Sequence, residues 1–150
     1  MLLSNPQFVL KNLDKLPVLG KGRFGTVYKI DKYRCIKVNV SAENNEREIQ
    51  IYKQYSSSSL FPRIFQSGNS YIIMELIKGR SLSEHLKSGG TLNLYWLTGL
   101  LEMFKEGRRI GLRLNPNARH IILTRANSIK LLDLEDIVKF ESLKANHLLK

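Results

Sequence analysis

Gly20-Lys21-Gly22-Arg23-Phe24-Gly25 places three glycines in a G-x-G-x-x-G pattern, and Val27 follows two positions later. Glycines lack the Cβ that would hold a backbone amide away from an anion, so such a run can bring N–H groups against phosphate oxygens. The same pattern also serves ordinary hairpin turns, and alone it does not choose between the two. Lys37 lies ten residues beyond Val27, in Cys35-Ile36-Lys37, and Glu48 lies eleven beyond that, in Arg47-Glu48-Ile49. A lysine on a central strand that faces a carboxylate on a packed helix would be held in place by the ion pair. From there it could engage phosphates. Taken singly, each reads equally well as a solvent-facing side chain. The three features in this order carry the reading together.

The elements that must position these groups follow from the patterning. Leu16–Leu19, Thr26–Ile30 and Tyr33–Val40 are β-prone runs, with the glycines between the first two and Asp31-Lys32 as a tight connection. Ser41 is placed to cap a helix over about 43–55, on which Glu48, Ile51, Tyr52 and Tyr55 share one face. Two further strands, Arg63–Phe65 and Ser70–Leu76, flank the turn Ser67-Gly68-Asn69. After Gly79 the pattern turns helical. A short helix over Ser81–Lys87 ends at Gly89-Gly90. A longer one over Leu92–Glu106 carries Leu94, Leu97, Leu101 and Phe104 on one face, is broadened by Trp96, Leu100 and Met103, and stops at Gly107. Ile121–Leu123 and Ile129–Leu132 form a hairpin around Ala126-Asn127-Ser128, and the last 15 residues are expected to form a closing helix. Strands, one helix, strands and then helices make an α+β arrangement. A glycine run followed by a strand excludes the dinucleotide-binding βαβ unit, which requires a helix there.

With these elements in place, the chain resembles the protein kinase superfamily over about residues 15–140. Gly20, Gly22, Gly25 and Val27 match its glycine-rich loop, Lys37 its strand lysine, and Glu48 the helix glutamate that pairs with it. Tyr71-Ile72-Ile73-Met74-Glu75-Leu76-Ile77 looks like its fifth strand and hinge, with Met74 at the gatekeeper position. The resemblance implies an antiparallel five-stranded N-lobe with one helix over about 10–77 and a hinge over about 75–79. A truncated, mainly helical C-lobe over about 80–150 would complete a single minimal domain. It further implies ATP and Mg2+. Adenine would be held by the Glu75–Ile77 backbone beneath Val27 and Cys35, and the phosphates by Lys37.

The C-terminal half departs from that family. No aspartate occurs between Asp31 and Asp133, so the catalytic-loop base is missing. Matching Leu114-Asn115-Pro116 puts Arg113 in its place, whereas counting back from Ile121 puts Asn115 there and His120 at the metal-binding asparagine. Asp133, in Leu132-Asp133-Leu134-Glu135, stands where the D-F-G metal ligand belongs, with Asn117 or Glu135 as helpers. It reads equally as a turn aspartate. Only 15 residues follow Leu134-Glu135, too few for an activation segment or peptide-docking half. The expectation is a minimal or degenerate serine/threonine-kinase-like domain that binds nucleotide and has weak or no activity. A fully active enzyme using Asn115, Asn117 or His120 is the more demanding version.

Composition sets the remaining bounds. Among 150 residues, 43% are hydrophobic and 25% charged, an ordinary globular mix. One cysteine excludes a disulfide framework and a Cys-rich zinc module, and His85, His120 and His147 lack metal-ligand spacing. No run is long and apolar enough for a membrane span, and the N-terminus lacks a signal-peptide pattern, so a cytoplasmic location is expected. The net charge of +11 calls for an anionic partner. Residues 1–40 carry eight basic and two acidic side chains, and 103–130 carry seven and one. If these share a face, the alternative is a non-enzymatic basic module for nucleic acid or an acidic protein. Apolar helix faces left uncovered by a short C-lobe would favour a homodimer or docking on a larger protein.

Overall fold

The computed structural model describes residues 5–111 and 117–132, and the chain falls into two compact units. One lies within Met1–Gln50 and Arg63–Leu76, the other within Ile51–Pro62 and Ile77–Lys150.

The first unit is built on a five-stranded antiparallel sheet in the order β1-β2-β3-β5-β4. Its strands are β1 (Val18–Lys21), β2 (Gly25–Lys29), β3 (Arg34–Asn39), β4 (Ile64–Ser67) and β5 (Tyr71–Glu75). Because side chains alternate across a strand, register decides which residues share a face. Tyr28, Ile36 and Ile73 pair in one row and Val38 with Tyr71 in the next, forming one apolar face. The other face carries Val27, Lys37 and Ile72 in one row, with Cys35 and Met74 in the next. Asp31 shapes the β2–β3 turn by accepting the Tyr33 and Arg34 N–H groups, both at 2.9 Å. Burial opposes ionisation of that carboxyl, but these hydrogen bonds and the Arg34 guanidinium outweigh it and lower its pKa.

A helix not anticipated from the sequence, α1 (Pro6–Lys11), covers the apolar face. Asn5 caps it through the Gln7 N–H, Pro6 opens it, and Val9 is 1% exposed in a cluster with Ile30, Ile36, Tyr71 and Ile73. Leu10, Leu13 and Leu16 extend the cover. On the opposite face lies α2 (Ala42–Gln54), capped by Ser41 as expected: its Oγ accepts the Asn44 N–H at 3.0 Å.

The second unit holds a three-stranded antiparallel sheet of β6 (Gly79–Ser81), β7 (Ile121–Thr124) and β8 (Ile129–Leu131), with α3 (Leu82–Lys87) and α4 (Leu94–Arg109). The expected hairpin is present, its turn made by Asn127 at φ 59°. β6 was missed because three residues are too few to show a period. Ser81 caps α3 and Asn93 caps α4. His85 is buried and accepts from Arg80 through Nδ1, which leaves Nε2–H to donate to the Thr91 carbonyl at 2.7 Å.

One expectation about α4 is corrected. Gly107 is buried within the helix, and the left-handed C-terminal position belongs to Gly111 at φ 78°. The buried side is not the leucine face: Met103 is fully buried and Gly99 packs against Ile129, where a Cβ would lie 2.7 Å from Cγ1. Leu94, Leu97, Leu101 and Phe104 are 45–75% exposed. Gly99, without a side chain, lets the helix approach Ile129 of β8 closely.

Candidate functional site

Val27, Lys37, Cys35 and Met74 lie on the α2 side of the five-stranded sheet, where Glu48 meets Lys37. The hairpin from β1 to β2 carries the glycines, and the Gly22 N–H donates to the Gly25 carbonyl at 2.8 Å, closing the turn. Gly20 and Gly22 are exposed, and a Cβ on either would meet nothing closer than 3.8 Å. There is room beside both for a ligand, with the Gly22 N–H already spent on the turn. Gly25 is different. It is buried, and a Cβ there would lie 2.4 Å from the Val38 carbonyl oxygen and 2.8 Å from Asn39 Oδ1. The third glycine therefore seats the hairpin on β3.

Val27 stands beside Lys37 in the β2–β3 register. Lys37 Nζ donates to both Glu48 oxygens, at 3.0 and 2.9 Å. The pair is nearly dry, with 13% of the lysine side chain and 2% of the glutamate side chain exposed. Removing two charges from water is unfavourable unless geometry and further hydrogen bonds compensate. Here the compensation includes Asn39 Nδ2, 3.5 Å from Glu48 Oε2.

Cys35 and Met74 sit next to each other across β3 and β5, both buried. Burial first, and the Glu75 charge second, push the Cys35 thiol up to about 12. It is an apolar surface, not a nucleophile. At the end of β5 the Glu75 N–H donates to the Arg63 carbonyl and the Leu76 N–H to that of Tyr33, both at 2.8 Å. These two donors are consumed by local pairing, and the Cys35 thiol donates to the Glu75 carbonyl at 3.8 Å.

Ile77 and Asn117 belong to the second unit. Asn117 is exposed and its side-chain oxygen accepts the Arg119 N–H at 3.1 Å, a turn cap. Asn115 and Asp133 lie outside the described residues. Among the described residues no group of three or more His, Cys, Asp or Glu side chains could hold a metal ion. No described helix is long and apolar enough to cross a membrane. Several of the basic side chains counted in the sequence are tied to acids, Arg34 to Asp31, Lys105 to Glu102 and Arg109 to Glu106.

The residues that sequence reasoning missed are Asn39 and Asn45. Asn39 Nδ2 donates to Asn45 Oδ1 at 2.8 Å, and Asn45 Nδ2 to the Gly68 carbonyl at 2.6 Å. The signal was present: Asn39 repeats the period-2 position of Cys35 and Lys37, and Asn45 stands three residues before Glu48 on one helical face.

No protein-family model matches the chain. It is 28% identical over 144 residues to the Bacillus subtilis (strain 168) protein named "Putative serine/threonine-protein kinase YrzF", covering 91% of this chain and 65% of that protein. It is also 28% identical over 94 residues to the Caenorhabditis briggsae "Probable serine/threonine-protein kinase zyg-1", covering 56% of this chain and 13% of that one. The chain thus spans just under two thirds of the first relative and a small part of the second. Among solved structures it shares its fold with monomeric WbdD, at a TM-score of 0.55 and 16% identity over 84% of this chain and 37% of that one. The two named relatives support the resemblance to the protein kinase superfamily.

Proposed function

We propose that this chain is a kinase-like ATP-binding domain of serine/threonine-kinase type whose phosphoryl transfer is weak or absent. One observation carries the reading: a nearly dry, two-pronged Lys37–Glu48 ion pair beside a hairpin with free space at its first two glycines. A buried pair is weak evidence for stability, so its retention asks for another purpose, and holding an ammonium for phosphate oxygens supplies one. In this reading the amides around Gly20 and Gly22 approach the phosphates and Lys37 neutralises them. Val27, Cys35 and Met74 offer the apolar surface that adenine needs, and the Glu75 carbonyl takes its polar edge. Kinases as a class use ATP with magnesium.

The weak activity follows from the sequence. Phosphoryl transfer depends mainly on positioning and electrostatics, so it tolerates loss of a base. General-base help is nonetheless worth roughly 10²–10⁴-fold, and no aspartate precedes Asp133 in the stretch where that base belongs.

The test is a thermal-shift titration with ATP, with and without magnesium, run beside Lys37→Ala. Ligand at 100 times its Kd stabilises the folded state by about 2.7 kcal/mol, and each kcal/mol moves the midpoint of a domain this size by roughly 2–4 °C. A rise of several degrees that Lys37→Ala abolishes is expected. No rise in the wild-type protein at millimolar ATP would overturn the reading.

A further inference from the structure

Beneath the ion pair lies a second set of buried polar contacts. Asn39, the last residue of β3, is 4% exposed and Asn45, on α2, is fully buried. Burying an amide is unfavourable by about 1–3 kcal/mol unless it is hydrogen-bonded, so two of them in one place demand an account. Asn45 Nδ2 is committed to the Gly68 carbonyl in the β4–β5 turn, which leaves Asn45 Oδ1 to accept and obliges Asn39 to present Nδ2. That same Nδ2 faces Glu48 Oε2, the oxygen that receives Lys37 at 2.9 Å. Reversing the Asn39 amide would set its oxygen against two others. The hydrogen bonds are directional, and they run from the turn through α2 to the carboxylate.

The consequence is mechanical. The first half of α2 is tied to the sheet at two depths, through Glu48 to Lys37 and through Asn45 to Asn39 and Gly68. Withdrawing it would break both sets in a site with little water to replace them. We propose that Asn39 and Asn45 are positioning residues that hold Glu48, and through it Lys37, in the phosphate-binding arrangement before any nucleotide arrives. This rests on the ATP-binding reading for its purpose, and a ligand-free measurement tests it separately.

That measurement is the rate at which sulfo-NHS-acetate acetylates Lys37 in the folded apo protein, read by mass spectrometry against exposed Lys32 and Lys53 as internal controls. Asn45→Ala should raise the Lys37 rate several-fold, toward that of Glu48→Gln, and leave the controls unchanged. The affinity measurement compares ATP with adenosine in wild type, Asn45→Ala, Lys37→Ala and the double variant. Asn45→Ala should weaken ATP about tenfold, leave adenosine unchanged, and add nothing in the Lys37→Ala background.

The isosteric Asn39→Asp guards against a variant that fails to fold. It sets a second carboxylate beside Glu48, which Lys37 already pairs with, so ionisation of one is disfavoured. Its ATP affinity should therefore recover as pH falls and the pair takes up a proton, a profile that a purely structural defect does not produce. An unchanged Lys37 acetylation rate overturns the proposal, as does a parallel fall in ATP and adenosine affinity or full additivity with Lys37→Ala. If wild type binds neither ligand, the ATP reading falls, and acetylation alone decides whether Asn39 and Asn45 position the lysine.

Discussion

Gly25 and Asn39 face each other across β2 and β3 so closely that a Cβ on Gly25 would sit 2.8 Å from Asn39 Oδ1. The three glycines of the loop therefore divide by role, and substitution should separate them. Gly25→Ala forces β2 away from β3 and should destabilise the protein by about 1–3 kcal/mol, the range for overpacking. Gly20→Ala meets no neighbouring atom and should change stability by less than about 0.5 kcal/mol while still weakening ATP. Urea midpoints beside ATP titrations check this. Equal stability losses at the two positions would contradict the division.

The Lys37–Glu48 pair makes a second prediction, because its members are unequal once separated. Lys37→Ala leaves a carboxylate only 2% exposed without its cation, and should destabilise by about 3–5 kcal/mol. The double variant Lys37→Met with Glu48→Leu removes both charges and should recover most of that loss. Neither variant should show an ATP-dependent rise in melting temperature. Chemical denaturation measures the first effect, and a double variant as unstable as Lys37→Ala would count against it.

Much of this site was legible in the sequence, for a physical reason. The glycine run, Lys37 and Glu48 are local in register: a hairpin, a strand and a helix face each announce themselves by period and by turn residues. The Asn39–Asn45–Gly68 connection was not legible, because it depends on three segments meeting in space and on amides that usually mark turns and caps. Helix α1 escaped for the opposite reason. Its Asn5-Pro6 opening is a recognisable start, but six residues give too little periodicity to identify a buried face.

Cys35 yields a pH prediction. Its folded thiol is raised to about 12 from an ordinary value of 9.0. A raised pKa means that the contribution to stability is complete below pH 9. It is lost progressively as pH rises toward 12, since the unfolded thiol ionises first. Cys35→Ala should therefore lose stability less steeply than wild type between pH 9 and 12, measured as the difference between their urea midpoints. At pH 8 the native thiol should resist DTNB until the protein is denatured. Rapid labelling of folded protein would show that the thiol is neither buried nor protonated.

The final prediction concerns α4, where the leucine pattern and the observed burial disagree. An amphipathic reading makes Leu101 a core residue, because it shares a stripe with Leu94, Leu97 and Phe104. In the structure Leu101 is 68% exposed, while Met103 is completely buried beside a helix surface kept flat by Gly99. Pattern identifies that a helix has an apolar stripe. It does not identify which side the sheet will take when a glycine permits closer approach on the other. Met103→Ala opens a cavity and should be destabilising by about 2–5 kcal/mol, whereas Leu101→Ala should change stability by less than about 0.5 kcal/mol. Guanidinium unfolding of the two variants decides between the assignments. A large loss at Leu101 with a small one at Met103 would restore the leucine face as the core side of α4.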